Sequence, residues 1–167
     1  MHRSKFGVGT SLMTANGKRW TYDDFRVGMA IECGSMPVPA EEIIGFAEEF
    51  DPQPMHLDEK VGEASVLGGL SAPGFHIASM MMRLMCDGFL LDSTSQGAPG
   101  ADFMTWRKPV LAGDTITSTA TVAAKRESKS RPDLGFVTIR QVLSNQYGEQ
   151  VCEMQATVMF LKRSGSR

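Results

Sequence analysis

The chain has 167 residues, of which 42 % are hydrophobic and 22 % charged, with a formal net charge of −2. That length and composition predict one ordinary globular domain and exclude disorder over the whole chain. The slightly acidic balance disfavours a protein that neutralises many phosphates, so no nucleic-acid partner is expected. The longest apolar stretch, residues 74–91, is interrupted by Arg83 and Asp87, so no membrane span is expected either.

Residues 1–20 carry Arg3, Lys5, Lys18 and Arg19, no acid and no apolar core of the kind a secretory signal needs. They read as a polar, disordered N-terminal tail, followed by a single domain over 21–163 and a short C-terminal tail over 164–167. The three cysteines, Cys33, Cys86 and Cys152, are far apart and odd in number, which argues against a disulfide framework or a cysteine zinc site. Small buried thiols in a reducing, cytoplasmic setting are the expectation.

A first strand is predicted over Met29–Val38, punctuated by Gly28 and Pro37. Pro39 opens a helical pattern in which Ile43, Ile44, Phe46, Ala47 and Phe50 recur at helical spacing, with Glu41 and Glu42 in the first turn, where acids suit the helix dipole. The run Asp51-Pro52-Gln53-Pro54 ends that helix, because proline lacks an N–H and restricts its predecessor. One or two helical turns are predicted over Leu57–Ala64. A second helix is predicted from Phe75 to about Leu91, apolar nearly all round and therefore buried on most faces. Residues 93–100 read as loop. The remainder is rich in Thr, Val, Ile and Phe and predicts four antiparallel strands: Phe103–Val110, Thr115–Arg126, Phe136–Asn145 and Gln150–Lys162. Strand, helices, then a run of strands is an α+β order, with the buried helix packed on one sheet face.

Charge is uneven. Residues 41–63 hold eight acids against Lys60 alone, whereas residues 105–131 hold Arg107, Lys108, Lys125, Arg126, Lys129 and Arg131 against Asp114 and Glu127. Both read as solvated faces, and the basic one also as a patch for a phosphorylated carrier.

Chemistry is best supported at Asp51 and His56. Two prolines stiffen the link between them, and the pair sits where a helix stops and the chain reverses. An Asp and a His facing one cavity can hold a water between them, one removing its proton while the other delivers a proton to carbon. Gly74, at the positive end of the second helix, can present a bare N–H to a developing enolate oxygen. Asp51, His56, Asp58 and His76 are also potential metal ligands, but no paired metal-ligand motif is present, and no metal or cofactor is expected. Nucleophile-elbow, phosphate-loop and dinucleotide motifs are absent from the sequence.

These residues carry a resemblance. Phe46-Ala47, then Phe50-Asp51-Pro52-Gln53-Pro54-Met55-His56-Leu57-Asp58, resembles the hydratase motif of the MaoC-like dehydratases, the (R)-specific enoyl-CoA hydratase group. Gly69-Leu70-Ser71-Ala72-Pro73-Gly74-Phe75-His76 is similar to that family's glycine-led start of the central helix. Trp106-Arg107-Lys108-Pro109-Val110 with Gly113-Asp114-Thr115, and Asn145-Gln146 with Gly148-Glu149 and Val151, are similar to its later strand, turn and final hairpin. The resemblance spans about residues 22–162. It implies a single hot-dog fold, a long central helix wrapped by an antiparallel sheet with a hydratase-type overhanging segment. It also implies a homodimer or higher even oligomer acting on acyl thioesters, with Asp51 and His56 as the acid/base pair and Gly74 as oxyanion donor. Gln53, Pro54, Phe46, Phe50, Ser71, Arg107 and Lys108 are the expected substrate-binding residues. Gln53 stands where the family has Asn, Pro73 where it often has His, and Met82 where some members have a helix Ser; these departures bear on the substrate more than on the chemistry.

The activity implied is reversible hydration of a trans-2-enoyl thioester. Two alternatives stay open at this point. A hot-dog thioesterase is disfavoured because the helix interior, 75–86, contains no acid. A non-catalytic acyl-thioester-binding module is disfavoured because Asp51 and His56 are both present.

Overall fold

The computed structural model describes residues 20–163. Of the tails expected over 1–20 and 164–167, residues 1–19 and 164–167 lie outside the described residues. Trp20 does not behave as tail. It is buried, accepts a hydrogen bond from the Thr94 amide, donates its own amide to Asp92, and joins Phe25, Phe89 and Phe160 in an aromatic cluster.

Strand β1 (Ala30–Pro37) leads into three helices: α1 (Ala40–Phe50), α2 (Pro54–Leu57) and α3 (Glu59–Ala64). The central helix α4 (Gly74–Met85) continues into a wider π turn (Cys86–Leu90). Strands β2 (Ala101–Trp106), β3 (Thr115–Glu127), β4 (Leu134–Ser144) and β5 (Gln150–Leu161) follow. All five strands form one antiparallel sheet in the order β1-β3-β4-β5-β2. This is the hot-dog arrangement, and the α+β reading of the sequence holds.

Alternation explains how the sheet receives the helix. Along β4, Val137, Ile139, Gln141 and Leu143 are buried, while Thr138 and Arg140 are more exposed. Along β5, Ala156, Val158 and Phe160 continue the inner face. Ile77, Met80, Met81, Leu84 and Met85 of α4 pack on that face. A buried polar clamp sits in this apolar layer: the Gln141 amide donates to the Met81 carbonyl at 2.7 Å and to Ser118 Oγ at 2.8 Å. Since an unpaired polar group here costs about 1–3 kcal/mol, the clamp favours a single placement of α4 on the sheet.

Two differences from the sequence reading bear on the site. First, α4 is not buried on most faces: Phe75 is 73 % and Met82 42 % exposed. A single-layer sheet covers one side of a helix, and nothing within the described chain covers the other. Second, β2 ends at Trp106 rather than running to Val110. The Arg107 and Lys108 amides both point at the Val151 carbonyl, Pro109 has no N–H to continue the ladder, and the Val110 carbonyl accepts from Ala72 instead. The chain therefore leaves the sheet at residues 107–110 and crosses to the segment that precedes α4.

The thiols are structural, as their spacing suggests. Burial pushes Cys33 and Cys152 each up to about 11, far from the range in which a thiol is reactive. The basic run is divided. The Lys125 ammonium donates to the carbonyls of Tyr22 and Phe25 and lies 4.0 Å above the Tyr22 ring, and the Arg126 guanidinium lies over Phe136. These two cations are engaged with the start of the domain and with Phe136, and neither lines the cavity beside His56.

Candidate active site

Asp51 caps the C-terminus of α1, its amide bonded to the Ala47 carbonyl. Pro54 begins α2 at the first helical position, where its missing N–H costs nothing. This places His56 two residues later in the same turn, buried at 6 % exposure. Its Nδ1 lies 2.7 Å from the carbonyl oxygen of Ser71. A carbonyl only accepts, so Nδ1 carries the proton and Nε2 of the neutral ring is left with its lone pair. Nε2 is 3.9 Å from Asp51 Oδ2, and Gln53 Nε2 donates to the other oxygen, Asp51 Oδ1, at 2.8 Å. The longer amide that replaces the family's Asn therefore reaches the carboxylate and orients it.

At 3.9 Å the Asp51–His56 pair is too far apart for a direct hydrogen bond but close enough for one water to sit about 2.8 Å from both. When the His56 ring is neutral, both facing atoms are acceptors. A water there donates both its hydrogens, which leaves an oxygen lone pair free to attack.

The Ser71 carbonyl that sets the His56 tautomer is itself held. Ala72 donates to Val110 and Ala112 donates to Leu70, pinning residues 70–72 against the 110–112 segment. Behind it, a Cβ on Gly62 would lie 2.4 Å from the Gly69 carbonyl oxygen and 2.9 Å from the Leu70 nitrogen. Gly62→Ala must therefore push the 69–70 backbone, and with it the His56 acceptor. We expect a stability loss of about 1–3 kcal/mol by urea unfolding, together with reduced turnover.

A cavity of about 330 Å³ opens beside His56. His56, Ser71, Gly74, Arg107 and Lys108 line it, with Met55, Leu67, Ile77 and Trp106 among the apolar walls. Gly74 is the first residue of α4, so its N–H has no partner within the helix and points from the positive end of the helix dipole. Five of the residues expected from the sequence thus meet at one cavity. Asp51 is not among the lining residues; its carboxylate lies 3.9 Å from His56 Nε2 and accepts from Gln53. Pro54 acts through the backbone of α2. Phe46 and Phe50 do not line the cavity: Phe46 stacks on His76 at 4.7 Å between ring centroids, and Phe50 is 65 % exposed. Lys108 pairs with Glu149 at the mouth, and Arg107 pairs with Glu153, a buried carboxylate that also binds Arg140. These two bonds, Arg140 foremost, hold the Glu153 carboxyl below its ordinary range. Among the described residues, no three His, Cys, Asp or Glu side chains gather in a way that suits a metal ion.

Met55, Leu67, Ile77 and Trp106 are site residues that sequence reasoning misses. Trp106 has the clearest signal available: two-residue alternation puts it on the same sheet face as Met104, toward α4.

His76 lies beside the site but takes no part in it. It is buried, its Nδ1 has no partner among the described residues, and burial lowers its pKa from the ordinary 6.5. Above pH 6.5 the ring is neutral in both folded and unfolded chains. Below it the unfolded chain takes up the proton first, so this group's contribution to stability declines as pH falls toward the lowered folded value. His76→Phe should flatten the pH dependence of unfolding below pH 6.5, by at most about 1.4 kcal/mol per pH unit, as read from urea midpoints between pH 7.5 and 5.

Known proteins share this fold. The sequence profile of the MaoC like domain matches residues 24–143. The MaoC-like dehydratase from Rhodospirillum rubrum is 37 % identical, superposes with a TM-score of 0.77, and the match covers 86 % of this chain and 97 % of that one. The (R)-hydratase from A. caviae involved in PHA biosynthesis is 25 % identical with a TM-score of 0.65, over 83 % of this chain and 98 % of that one. The uncharacterized protein YdeM of Bacillus subtilis is 30 % identical over 139 residues, 83 % of this chain and 96 % of that protein. With the hydratase motif, the glycine-led central helix and the hot-dog sheet in place, this chain belongs to the MaoC-like domain family of hydratases and dehydratases.

Proposed function

We propose that the protein is an (R)-specific enoyl-thioester hydratase, running in reverse as a 3-hydroxyacyl-thioester dehydratase. The observation that carries this reading is the 2.7 Å contact of His56 Nδ1 with the Ser71 carbonyl: a neutral ring with Nδ1–H committed there leaves Nε2 as an acceptor, 3.9 Å from Asp51 Oδ2, on a residue that lines the cavity. The water they hold loses one proton to the pair as its oxygen attacks Cβ of the trans-2-enoyl thioester. The Cα–Cβ π electrons move toward the thioester carbonyl, whose developing oxyanion is met by the Gly74 N–H. The pair then returns the proton to Cα. One C–O and one C–H bond form, one O–H bond of the water and one π bond break, and both additions come from the same face. No cofactor is required, and the assignment of base and acid belongs to the pair as a unit.

A thioesterase is less well supported. Gly74–Met85 contains no acid, and Asp87 beyond it is tied to Arg83 at 2.7 Å on the surface. The discriminating experiment uses crotonyl-CoA and longer enoyl-CoAs near neutral pH. Loss of the conjugated enoyl absorbance without release of free thiol supports hydration. Thiol release from saturated acyl-CoA supports the thioesterase, and binding with neither reaction supports a non-catalytic module.

The basic mouth supports a phosphorylated carrier. Lys108→Ala should raise KM for crotonyl-CoA about two- to fivefold at low salt, with the difference shrinking as ionic strength shortens the Debye length to about 10 Å near 0.1 M. A homodimer is part of this reading. Among the described residues, edge strand β2 is unpaired on one side, and exposed Phe75, Met82 and Trp106 form an apolar surface along α4 and that edge.

A further inference from the structure

We propose that Trp106 is a positioning residue for this reaction: its indole N–H clamps the Gly74 peptide and so aims the oxyanion donor, while its ring carries the first part of the carrier arm. The inference rests on the hydratase reading above and adds to it a residue that touches neither Asp51 nor His56.

The need for a clamp arises at the start of α4. Its N-cap is Pro73, which provides no side-chain cap bond, and its first residue is glycine. Glycine has the freest backbone, and first turns fray. A donor that must hold an oxyanion to within tenths of an ångström is thus placed at the least constrained point of the helix. Two contacts from β2 compensate. Trp106 Nε1–H donates to the Gly74 carbonyl at 2.9 Å, across 32 residues of sequence. The same indole occupies the space a side chain would take, with Cε2 and Cζ2 3.0 and 3.2 Å from the position of a Gly74 Cβ. Fixing the carbonyl restricts the Gly74 ψ angle, and the ring restricts how far the residue can rotate toward the sheet. Phe75 meets the indole edge-on, with centroids 6.2 Å apart, and holds its outer side.

The path of the carrier arm is set by the order of groups around the cavity. The thioester carbonyl belongs at Gly74, and Cα and Cβ must lie toward His56 and Asp51 to exchange the proton and receive the oxygen. The sulfur is the other substituent of the carbonyl carbon, so it points away from His56. The cavity lining also includes the consecutive residues Trp106, Arg107, Lys108 and Pro109, and Trp106 is bonded to Gly74, so the sulfur side of the thioester is assigned to them. The methylene next to sulfur then lies on the indole face, and the arm continues toward the two cations.

The test separates the N–H from the ring. Replacing Trp106 with β-(3-benzothienyl)alanine keeps the bicyclic shape and removes only the donor. With crotonyl-CoA, kcat should fall roughly 10- to 100-fold while KM stays within about twofold of the native protein. Trp106→Phe should show the same loss of kcat with a raised KM, because part of the ring surface is gone. Native kcat in the benzothienyl variant overturns the clamp, and native KM in Trp106→Phe overturns the arm's path. If the unaltered protein fails to hydrate crotonyl-CoA or longer enoyl-CoAs, the hydratase reading itself falls and takes this inference with it; if the unaltered protein hydrates and only the variants behave as native, this inference alone fails.

Discussion

Asp51→Asn should lower kcat for enoyl-CoA hydration by about 10²- to 10⁴-fold, the range general acid–base catalysis supplies, with little change in unfolding midpoint. The side chain is 29 % exposed, and its one close partner, Gln53, is an amide that can turn to suit either an amide or a carboxylate. Asn retains the size and one acceptor oxygen of Asp but cannot remove a proton. If the amide NH2 turns toward His56, the two-acceptor arrangement around the water is lost as well. The check is steady-state kinetics with crotonyl-CoA, alongside a urea titration of the same preparation. A native kcat would show that the pair is not where the chemistry happens.

Gly74→Ala should be the second large effect, and it should act on stability and turnover together. The added Cβ would stand 3.0–3.3 Å from three atoms of the Trp106 indole. Either the indole moves and gives up its bond to the Gly74 carbonyl, or the first turn of α4 shifts away from β2. Both routes cost about 1–3 kcal/mol as overpacking. Both also displace the N–H proposed to meet the oxyanion, for which a loss of about 10²- to 10³-fold in kcat is expected. Thermal unfolding and initial rates on the same variant measure the two consequences separately. Loss of stability with full activity would place the oxyanion donor elsewhere.

Much of the fold is legible in the sequence because it rests on local periodicity. The alternation of Val137, Ile139 and Gln141 against Thr138 and Arg140 marks one inner face without knowledge of the neighbouring strands. The spacing of Ile43 and Ala47 and the prolines at 52 and 54 mark where α1 ends and His56 begins its own turn. The Asp51–His56 pair is legible for the same reason, as its geometry is set by a short stretch of contiguous chain.

Contacts between distant segments are what the sequence hides. The tautomer of His56 is set by Ser71, 15 residues away, and the clamp on Gly74 comes from Trp106, 32 residues away. Lys125 looks free in a basic run, yet it satisfies carbonyls about a hundred residues earlier. Phe46 and Phe50 have the right spacing for a pocket wall, but helix α1 turns Phe46 onto His76 and leaves Phe50 toward solvent. The open face of α4 is hidden because an all-round apolar helix looks the same in sequence whether its last face meets the same chain or another copy.

The measurement that tests the central claim most directly is a double-mutant cycle on kcat for crotonyl-CoA hydration, with Asp51→Asn, His56→Gln and the two combined. If Asp51 and His56 act as one unit on one water, either substitution alone abolishes that unit. The double variant should then be no slower than the slower single variant, to within about threefold. Losses that multiply, so that the double variant falls by the product of the two single effects, would mean that the residues act independently and would contradict the shared water.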